Sequence, residues 1–264
     1  MAHLEVETKD SITTLTMNRP ESRNALSDEM VQGLIDALHD AELDSNVRCV
    51  VLRGAGDHFL AGGDVKSFSK IFELSDDEIR KNFVLRVHNL HPVMFAMRRM
   101  PKPVIASVRG AAAGAGVSVA LACDLIIAAD TSFMTLAYCN IGASPDGSST
   151  YQLPRTLGIK KAMEIALLGD RFTAQEAKDM GLINFVVPAD KLDEETLKLA
   201  TRLANGPTRA LANAKALLYR SIESQFEAQL QAEGVAFADS AAGPDFKEGV
   251  MAFVEKRKPN FTGK

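Results

Sequence analysis

The fold is decided by the stretch at residues 103–124, PVIASVRGAAAGAGVSVALACD. Its apolar start, Val104 to Val108, is typical of a buried strand, and the turn that follows consists almost entirely of Gly and Ala. A helix of small residues is predicted from about Ala115. Such a turn lets backbone N–H groups approach a ligand closely, at the positive end of a helix dipole.

A second Gly-rich turn follows another apolar run upstream. Val47 to Leu52 is predicted to be a strand, and residues 50–64, VVLRGAGDHFLAGGD, continue it into the turn. Two such turns can each donate one N–H group to the same oxygen atom. The pair therefore predicts an oxyanion hole made of backbone, which needs no particular side chain.

The rest of the chain alternates strand and helix patterns and then becomes helical, which indicates an α/β fold. Ser27 is predicted to cap a helix, and a long helix is predicted from Ser75 to Met100, after a mobile loop at residues 66–74. From Lys191 onward the pattern is helical. Strands are further predicted at residues 4–6, 12–17, 125–129, 133–137 and 183–187, and helices near 158–168 and 173–180.

The composition excludes several classes of protein. The chain has 264 residues, of which 46% are hydrophobic and 24% charged, enough for a substantial core. A net charge of −4 gives no support to nucleic-acid or anionic-membrane binding. No stretch approaches the ~20 apolar residues of a membrane span, and the strand pattern at Leu4 leaves no room for a signal peptide. We therefore expect a cytoplasmic protein with no nucleic-acid or membrane partner.

The cysteines and histidines do not form a metal-binding pattern. Cys49, Cys123 and Cys139 are odd in number and widely spaced, which predicts buried, reduced thiols rather than disulfides or a zinc site. His88 and His91 share a helical face but have no carboxylate companion at ligand spacing. No metal is expected.

Four motifs occur in order along nearly the whole chain. They are NRPESRNAL at residues 18–26, GAGDHFLAGGD at 54–64, the stretch from Lys102 to Asp124, and GDRFTAQEAKDMGL at 169–182. With these motifs the chain closely resembles the crotonase (enoyl-CoA hydratase/isomerase) superfamily.

The resemblance implies an α/β fold built as a spiral of ββα repeats, with a C-terminal helical trimerisation region. The expected division is a crotonase-like core at residues 1–200 and a helical oligomerisation region at residues 201–264. The expected assembly is a homotrimer or a hexamer formed as a dimer of trimers.

The resemblance also implies an acyl-CoA substrate, in which coenzyme A is part of the substrate and no separate cofactor is needed. The two oxyanion-hole N–H groups fall on Ala61 and Ala115, with Gly114 as a neighbouring candidate for the second. Asp64 falls on a residue that organises the loop beside the hole. The resemblance places five more residues in substrate binding: Ala25, Gly62, Gly63, Val65 and Tyr138.

Coenzyme A needs cations for its phosphates. By the resemblance, Arg23 and Lys66 supply them from one subunit. Phe253 and Lys256 fall near the adenine end and are expected to come from a neighbouring subunit. For Lys66 and Lys256 a solvated surface charge is an equally good interpretation.

The side chains must decide which reaction the site performs. A hydratase of this family uses two Glu carboxylates, and their positions fall here on Ser118 and on Ala137 or Tyr138. Neither position is acidic. One carboxylate remains well placed: Asp146 lies in a loop before a predicted helix. An Asp at this position makes the chain resemble the superfamily branch of ring-epoxide isomerases and enoyl-CoA isomerases.

Asp146 is therefore expected to act as the acid and base of an acyl-CoA isomerase, although the segment Pro145-Asp-Gly-Ser is also good turn or helix-capping chemistry. One alternative is an atypical hydratase that uses Asp146 and a water molecule. Another is an acyl-CoA-binding protein without catalytic activity.

Overall fold

Strands and helices alternate from Leu4 to Val187, and helices make up most of the chain from Leu192 to Val254. The computed structural model describes residues 2–264. The strands are β1 (Leu4–Lys9), β2 (Ile12–Met17), β3 (Cys49–Gly54), β4 (Val104–Val108), β5 (Ala111–Ala113), β6 (Leu125–Ala129), β7 (Phe133–Thr135), β8 (Phe172–Thr173) and β9 (Phe185–Val187). The helices are α1 (Asp28–Leu43), α2 (Val65–Phe68), α3 (Asp76–Arg99), α4 (Ala115–Ala122), α5 (Ser149–Leu157), α6 (Ile159–Leu168), α7 (Ala174–Asp179), α8 (Leu192–Ala204), α9 (Thr208–Ser221), α10 (Phe226–Ala241) and α11 (Pro244–Val254).

The main sheet has six strands in the order β1-β2-β3-β4-β6-β9. Only β1 runs antiparallel to its neighbour. Strand β4 is buried along its whole length because helices cover both faces of the sheet. Val104 and Ala106 pack into the larger core with α1, α3 and α4, whereas Ile105 points to the other face, against α8.

The sheet brings the two Gly-rich turns together. Strands β3 and β4 are parallel neighbours, so the chain leaves both at the same edge. Beyond that edge the turns pair with each other: the N–H of Leu60 donates to the oxygen of Ala111 at 3.2 Å, and the N–H of Ala113 donates to the oxygen of Leu60 at 2.9 Å. Strand β5, inside the second turn, then continues into a three-stranded sheet with β7 and β8.

The segment predicted as a loop at residues 66–74 is largely helical, and that prediction was wrong. Helix α2 is followed by a 3₁₀ turn at Ser69–Ile71. The carbonyl oxygen of Asp64 stabilises the start of α2, because it accepts from both the N–H and the hydroxyl of Ser67, at 2.9 and 2.6 Å. Helix α3 begins as predicted, with a capping box between Ser75 and Glu78.

The predicted boundary after residue 200 falls inside α8. Ala200 and Ala204 of this helix are buried against the sheet, so the helices that stand clear of it begin with α9. A buried ion pair fastens α9 to the core, since the Lys215 ammonium lies 2.7 Å from the carboxylate of Asp124. Helix α10 buries no residue.

The cysteines are free thiols, as expected, but only two of them are buried. Burial, with the negative charge of Asp124 next, raises the pKa of Cys49 to about 12. Cys139 is exposed, contrary to the expectation, because it lies in a 3₁₀ turn at Tyr138–Ile141 on the surface.

Among residues 2–264, no helix combines the length and the apolar character that crossing a membrane requires.

Candidate active site

A cleft of about 1140 Å³ opens where the two Gly-rich turns meet. Helix α3 and the loop at residues 143–148 complete its wall. The cleft wall brings together many of the residues predicted for the site: Ala61, Gly62, Gly63, Val65, Gly114, Ala115, Tyr138 and Asp146. It does not include the predicted residues Arg23, Ala25, Asp64, Lys66, Phe253 and Lys256.

Gly62 allows the two turns to touch. Its φ of +91° is one that side chains rarely adopt, and a β-carbon there would lie 2.9 Å from the oxygen of Ala113. The same β-carbon position is 3.3 Å from the nitrogen of Ala115. The backbone at Gly62 therefore lies directly against the first residue of α4, at the positive end of that helix.

The prediction that Ala61 donates to the oxyanion was wrong, because its N–H already donates to the oxygen of Arg23 at 3.0 Å. Gly114 is excluded for the same reason, since its N–H donates to the oxygen of Thr135 at 2.9 Å. The N–H groups of Gly63 and Ala115, by contrast, have no acceptor within residues 2–264.

The direction of the Gly63 N–H follows from peptide geometry. The oxygen of Gly62 accepts from the N–H of Leu26 at 2.8 Å. In a trans peptide the N–H points opposite to the C=O, so the N–H of Gly63 points away from Leu26. Gly63 and Ala115 therefore each have an N–H group that is available to a ligand oxygen.

Two side chains that sequence reasoning missed brace the turns, and one of them is buried. Asn24 is fully buried and donates from its amide to the oxygens of Ala55 and His58, at 2.9 and 2.7 Å. The ring nitrogen Nδ1 of His58 accepts from the N–H of Ala111 at 3.2 Å. Asn24 lies within the motif at residues 18–26, which is the one sequence signal that could have indicated its role.

Asp64 holds the start of the next segment in place. Its carboxylate lies 3.1 Å from the guanidinium of Arg19. Burial alone would raise the pKa of Asp64, but the hydrogen bond and charge of Arg19 outweigh it, so the pKa lies below its usual range. The residue is therefore a charged anchor for the loop.

Asp146 is held at both its backbone and its side chain. Its carbonyl oxygen accepts from the hydroxyls of Ser118 and Ser149, at 2.8 and 3.2 Å. The Tyr138 hydroxyl donates to the carboxylate oxygen Oδ1 at 2.5 Å. The side chain does not cap α5, whose N-cap is Ser148.

Tyr138 acts as a donor at this position. It is 9% exposed, and burial, followed by the negative charge of Asp146, raises the pKa of Tyr138 above its ordinary value. The phenol therefore stays protonated and fixes one carboxylate oxygen. Within residues 2–264 the other oxygen, Oδ2, accepts no hydrogen bond, so it is free to meet a substrate.

Helix α3 adds polar residues to the wall that sequence reasoning did not assign to the cleft, namely Arg86, His88 and His91. The guanidinium carbon of Arg86 lies 4.9 Å from the centroid of the Phe68 ring. The two histidine rings lie side by side, 5.2 Å apart. Their helical spacing was visible in the sequence, but the surface that they face was not.

Comparison with known proteins identifies the family of the chain. The family model "Enoyl-CoA hydratase/isomerase" matches residues 7–264. The chain is 36% identical to the 1,2-epoxyphenylacetyl-CoA isomerase of Escherichia coli (strain K12), over 100% of this chain and 98% of that protein. It is also 36% identical to a "probable enoyl-CoA hydratase" of Rhodobacter capsulatus, over 99% of this chain and 98% of that protein.

A solved structure gives the same result for the fold. The crystal structure of an enoyl-CoA hydratase from Polaromonas sp. JS666 superposes with a TM-score of 0.93 at 34% identity, and the match covers 98% of this chain and 99% of that one. The expected crotonase-like α/β fold is thus confirmed. The chain belongs to the crotonase superfamily, as an acyl-CoA enzyme of the enoyl-CoA hydratase/isomerase family.

Proposed function

We propose that the protein isomerises a double bond or a ring-derived acyl group of an acyl-CoA, with Asp146 moving the proton. The observation that supports this is the position of the Asp146 carboxylate beside the meeting point of the turns. The positions that correspond to the two Glu of a hydratase hold Ser118 and Ala137 or Tyr138. Ser118 uses its hydroxyl to hold the Asp146 loop, so it does not replace an acid.

In the proposed reaction the thioester oxygen accepts from the N–H groups of Gly63 and Ala115. These amides stabilise the negative charge that develops on the oxygen when a carbon next to the thioester loses a proton. Oδ2 of Asp146 takes that proton and returns it to another carbon of the same allylic system. One base can serve both steps because the two carbons belong to one conjugated unit.

Hydration by Asp146 and a water molecule is the second candidate, because one of the relatives above is named as a hydratase. It would require the same carboxylate to deprotonate water and to return a proton to the α-carbon. Binding without catalysis is the third candidate, and it makes no use of the free Oδ2.

Replacing Asp146 tests the three candidates together. Asp146→Asn keeps the shape but removes the base, so isomerisation of a 3-enoyl-CoA should fall by roughly 10²–10⁴-fold, the usual effect of general acid–base catalysis. Acyl-CoA affinity should change little, because the backbone donors remain. The matched control is Asp190→Asn, an exposed carboxylate in a turn outside the cleft, which should retain full turnover.

The assay should be run in parallel with crotonyl-CoA and water. Strong hydration by the wild type that Asp146→Asn leaves undiminished would overturn both the reaction and the residue. Absence of turnover in the wild type, together with tight acyl-CoA binding, would favour the non-catalytic binder.

We also propose that the chain forms a trimer, or two stacked trimers, through the helices that follow α8. In a trimer, Phe253 and Lys256 could approach the coenzyme A of a neighbouring subunit, which would explain why they lie outside the cleft of their own chain. The free thiols fit a reducing compartment, and we propose the cytoplasm as the location.

A further inference from the structure

Arg86 is a cation on the cleft wall without an anionic partner. The side chain is half-buried, and within residues 2–264 it forms neither an ion pair nor a side-chain hydrogen bond. Its contact is with the face of Phe68, at 4.9 Å from the ring centroid. A guanidinium has five N–H donors, so this contact leaves its hydrogen-bonding capacity unused.

The nearby acid does not satisfy this cation. The positive charge of Arg86 contributes to the low pKa of Asp64, so the two groups are close enough to interact. The carboxylate of Asp64 is nevertheless bound to Arg19 at 3.1 Å. Arg86 therefore faces the cleft with its charge available to a ligand.

The position of Arg86 relative to the proposed oxyanion hole can be traced through Phe68. A β-carbon at Gly63 would lie 2.9 Å from the tip of the Phe68 ring, so this ring stands against the hole. The guanidinium lies over the same ring, so with standard bond lengths it is at most about 11 Å from the α-carbon of Gly63. An extended chain advances about 1.2 Å per bond, so an acyl group of up to about six carbons, with a hydrogen bond at each end, fits within that distance.

We propose that Arg86 binds a carboxylate at the far end of the acyl group, and that the substrates are therefore dicarboxylic acyl-CoA thioesters of up to about six carbons. This inference rests on the proposed function only for the place of the thioester, at Gly63 and Ala115. The planar guanidinium matches a carboxylate with two parallel hydrogen bonds. Phe68 and Phe83, whose rings meet edge to face at 5.1 Å, supply an apolar border that limits water around the pair.

Binding of unreactive ligands tests the inference without any turnover. Hexanoyl-CoA and adipyl-CoA have the same chain length and differ only in a terminal methyl or carboxylate. By calorimetry, wild-type protein should bind adipyl-CoA at least about 10-fold more tightly than hexanoyl-CoA. Arg86→Gln should weaken adipyl-CoA binding by roughly 10–100-fold, as expected for a charged hydrogen-bonded pair, and change hexanoyl-CoA binding by less than about 2-fold.

Two further variants make the result specific. Arg86→Lys keeps the charge but loses the paired donors, so it should restore only part of the adipyl-CoA affinity. Arg80→Gln is the matched control, because Arg80 lies on the same helix and pairs on the surface with Asp77. It should bind both ligands as the wild type does.

Equal weakening of both ligands by Arg86→Gln would overturn the inference, because Arg86 would then act on the coenzyme A that they share. Failure of the wild type to prefer adipyl-CoA would overturn it as well. Neither outcome depends on Asp146, so the proposed reaction stands or falls separately in its own assay.

Discussion

Ser148 combines two unfavourable features at one residue. Its φ of +81° lies in the left-handed region, where a β-carbon is crowded, and its hydroxyl oxygen is buried without a hydrogen-bond partner. It lies two residues after Asp146 and ends the loop that carries the carboxylate. The backbone path needed to present Asp146 therefore imposes a local cost on the residue that follows.

Replacing this serine with glycine should stabilise the protein. Ser148→Gly relieves the left-handed strain, which costs roughly 1–2 kcal/mol, and removes the unsatisfied hydroxyl. The greater freedom of glycine in the unfolded chain offsets about 0.5–1 kcal/mol of that gain. We expect the free energy of unfolding, measured with urea, to rise by about 1 kcal/mol.

The preceding residue provides a control of opposite sign. Gly147 also has a positive φ, and a β-carbon there would lie 2.9 Å from the β-carbon of Ser118. Gly147→Ala should therefore destabilise the protein. A loss of stability in Ser148→Gly would show that its hydroxyl has a favourable role that the local geometry does not reveal.

At the scale of elements, the proposed oxyanion hole depends on how two strands end. Strands β3 and β4 deliver their turns to one edge, and the pairing of Leu60 with Ala111 and Ala113 fixes the distance between them. The proposed hole lies between the end of one turn and the start of α4. Its geometry therefore depends on the length of each turn and on the absence of a side chain at Gly62.

A structure with a bound acyl-CoA analogue would test this arrangement. We expect the thioester oxygen to lie ~2.7–3.2 Å from the nitrogens of both Gly63 and Ala115. The N–H of Ala61 should remain bonded to Arg23. A thioester oxygen that instead contacts the nitrogen of Ala61 would require that bond to break and would contradict the assignment.

At this scale, the sequence predicted features that depend on neighbouring residues, but not those that depend on contacts between residues far apart in the chain. Strand β4 and the start of α4 were predicted correctly, because a short apolar run and a break at Gly114 are local signals. Choosing among consecutive amides was not possible from local pattern. The N–H of Ala61 is occupied by Arg23, 38 residues earlier in the chain, and only the folded backbone shows this.

The same limit applied to the cleft wall. Tyr138 and Asp146 were predicted by resemblance, but the hydrogen bond that joins them depends on the path of the loop between β7 and α5. Arg86 was not found, because a cation on a long helix carries no signal of the side that it faces. The motifs thus indicated which backbone segments form the site. Contacts between elements far apart in the chain determine which polar side chains face it.

At the scale of the whole molecule, the C-terminal helices leave a large apolar area uncovered. The side chain of Phe253 is 85% exposed, which is unusual for a large apolar residue in a protein that functions as a monomer. Other exposed apolar side chains of this region are Leu218, Phe226, Val235, Phe237 and Val254. Such a surface is typical of a subunit interface.

Light scattering should therefore give a mass three or six times that of the 28.5 kDa chain at micromolar concentration. The double variant Val235→Asp/Phe237→Asp places charges on α10 and should shift the protein to smaller species, because an unpaired charge is costly to bury. Gln231→Asp, an exposed polar position on the same helix, is the control and should leave the mass unchanged. A stable monomer in the wild type would contradict this prediction.

The edge position of β1 has a consequence for aggregation. An edge strand presents unpaired N–H and C=O groups that can template fibril-like pairing with another chain. Charged side chains at Glu5, Glu7 and Lys9 recur at every second position of β1, so all three lie on one face of this strand. Approach of a second sheet would have to desolvate these charges. The charges on β1 thus oppose the addition of another chain to the edge of the main sheet. The C-terminal helices can therefore expose a large apolar surface without fibril-like association through the sheet.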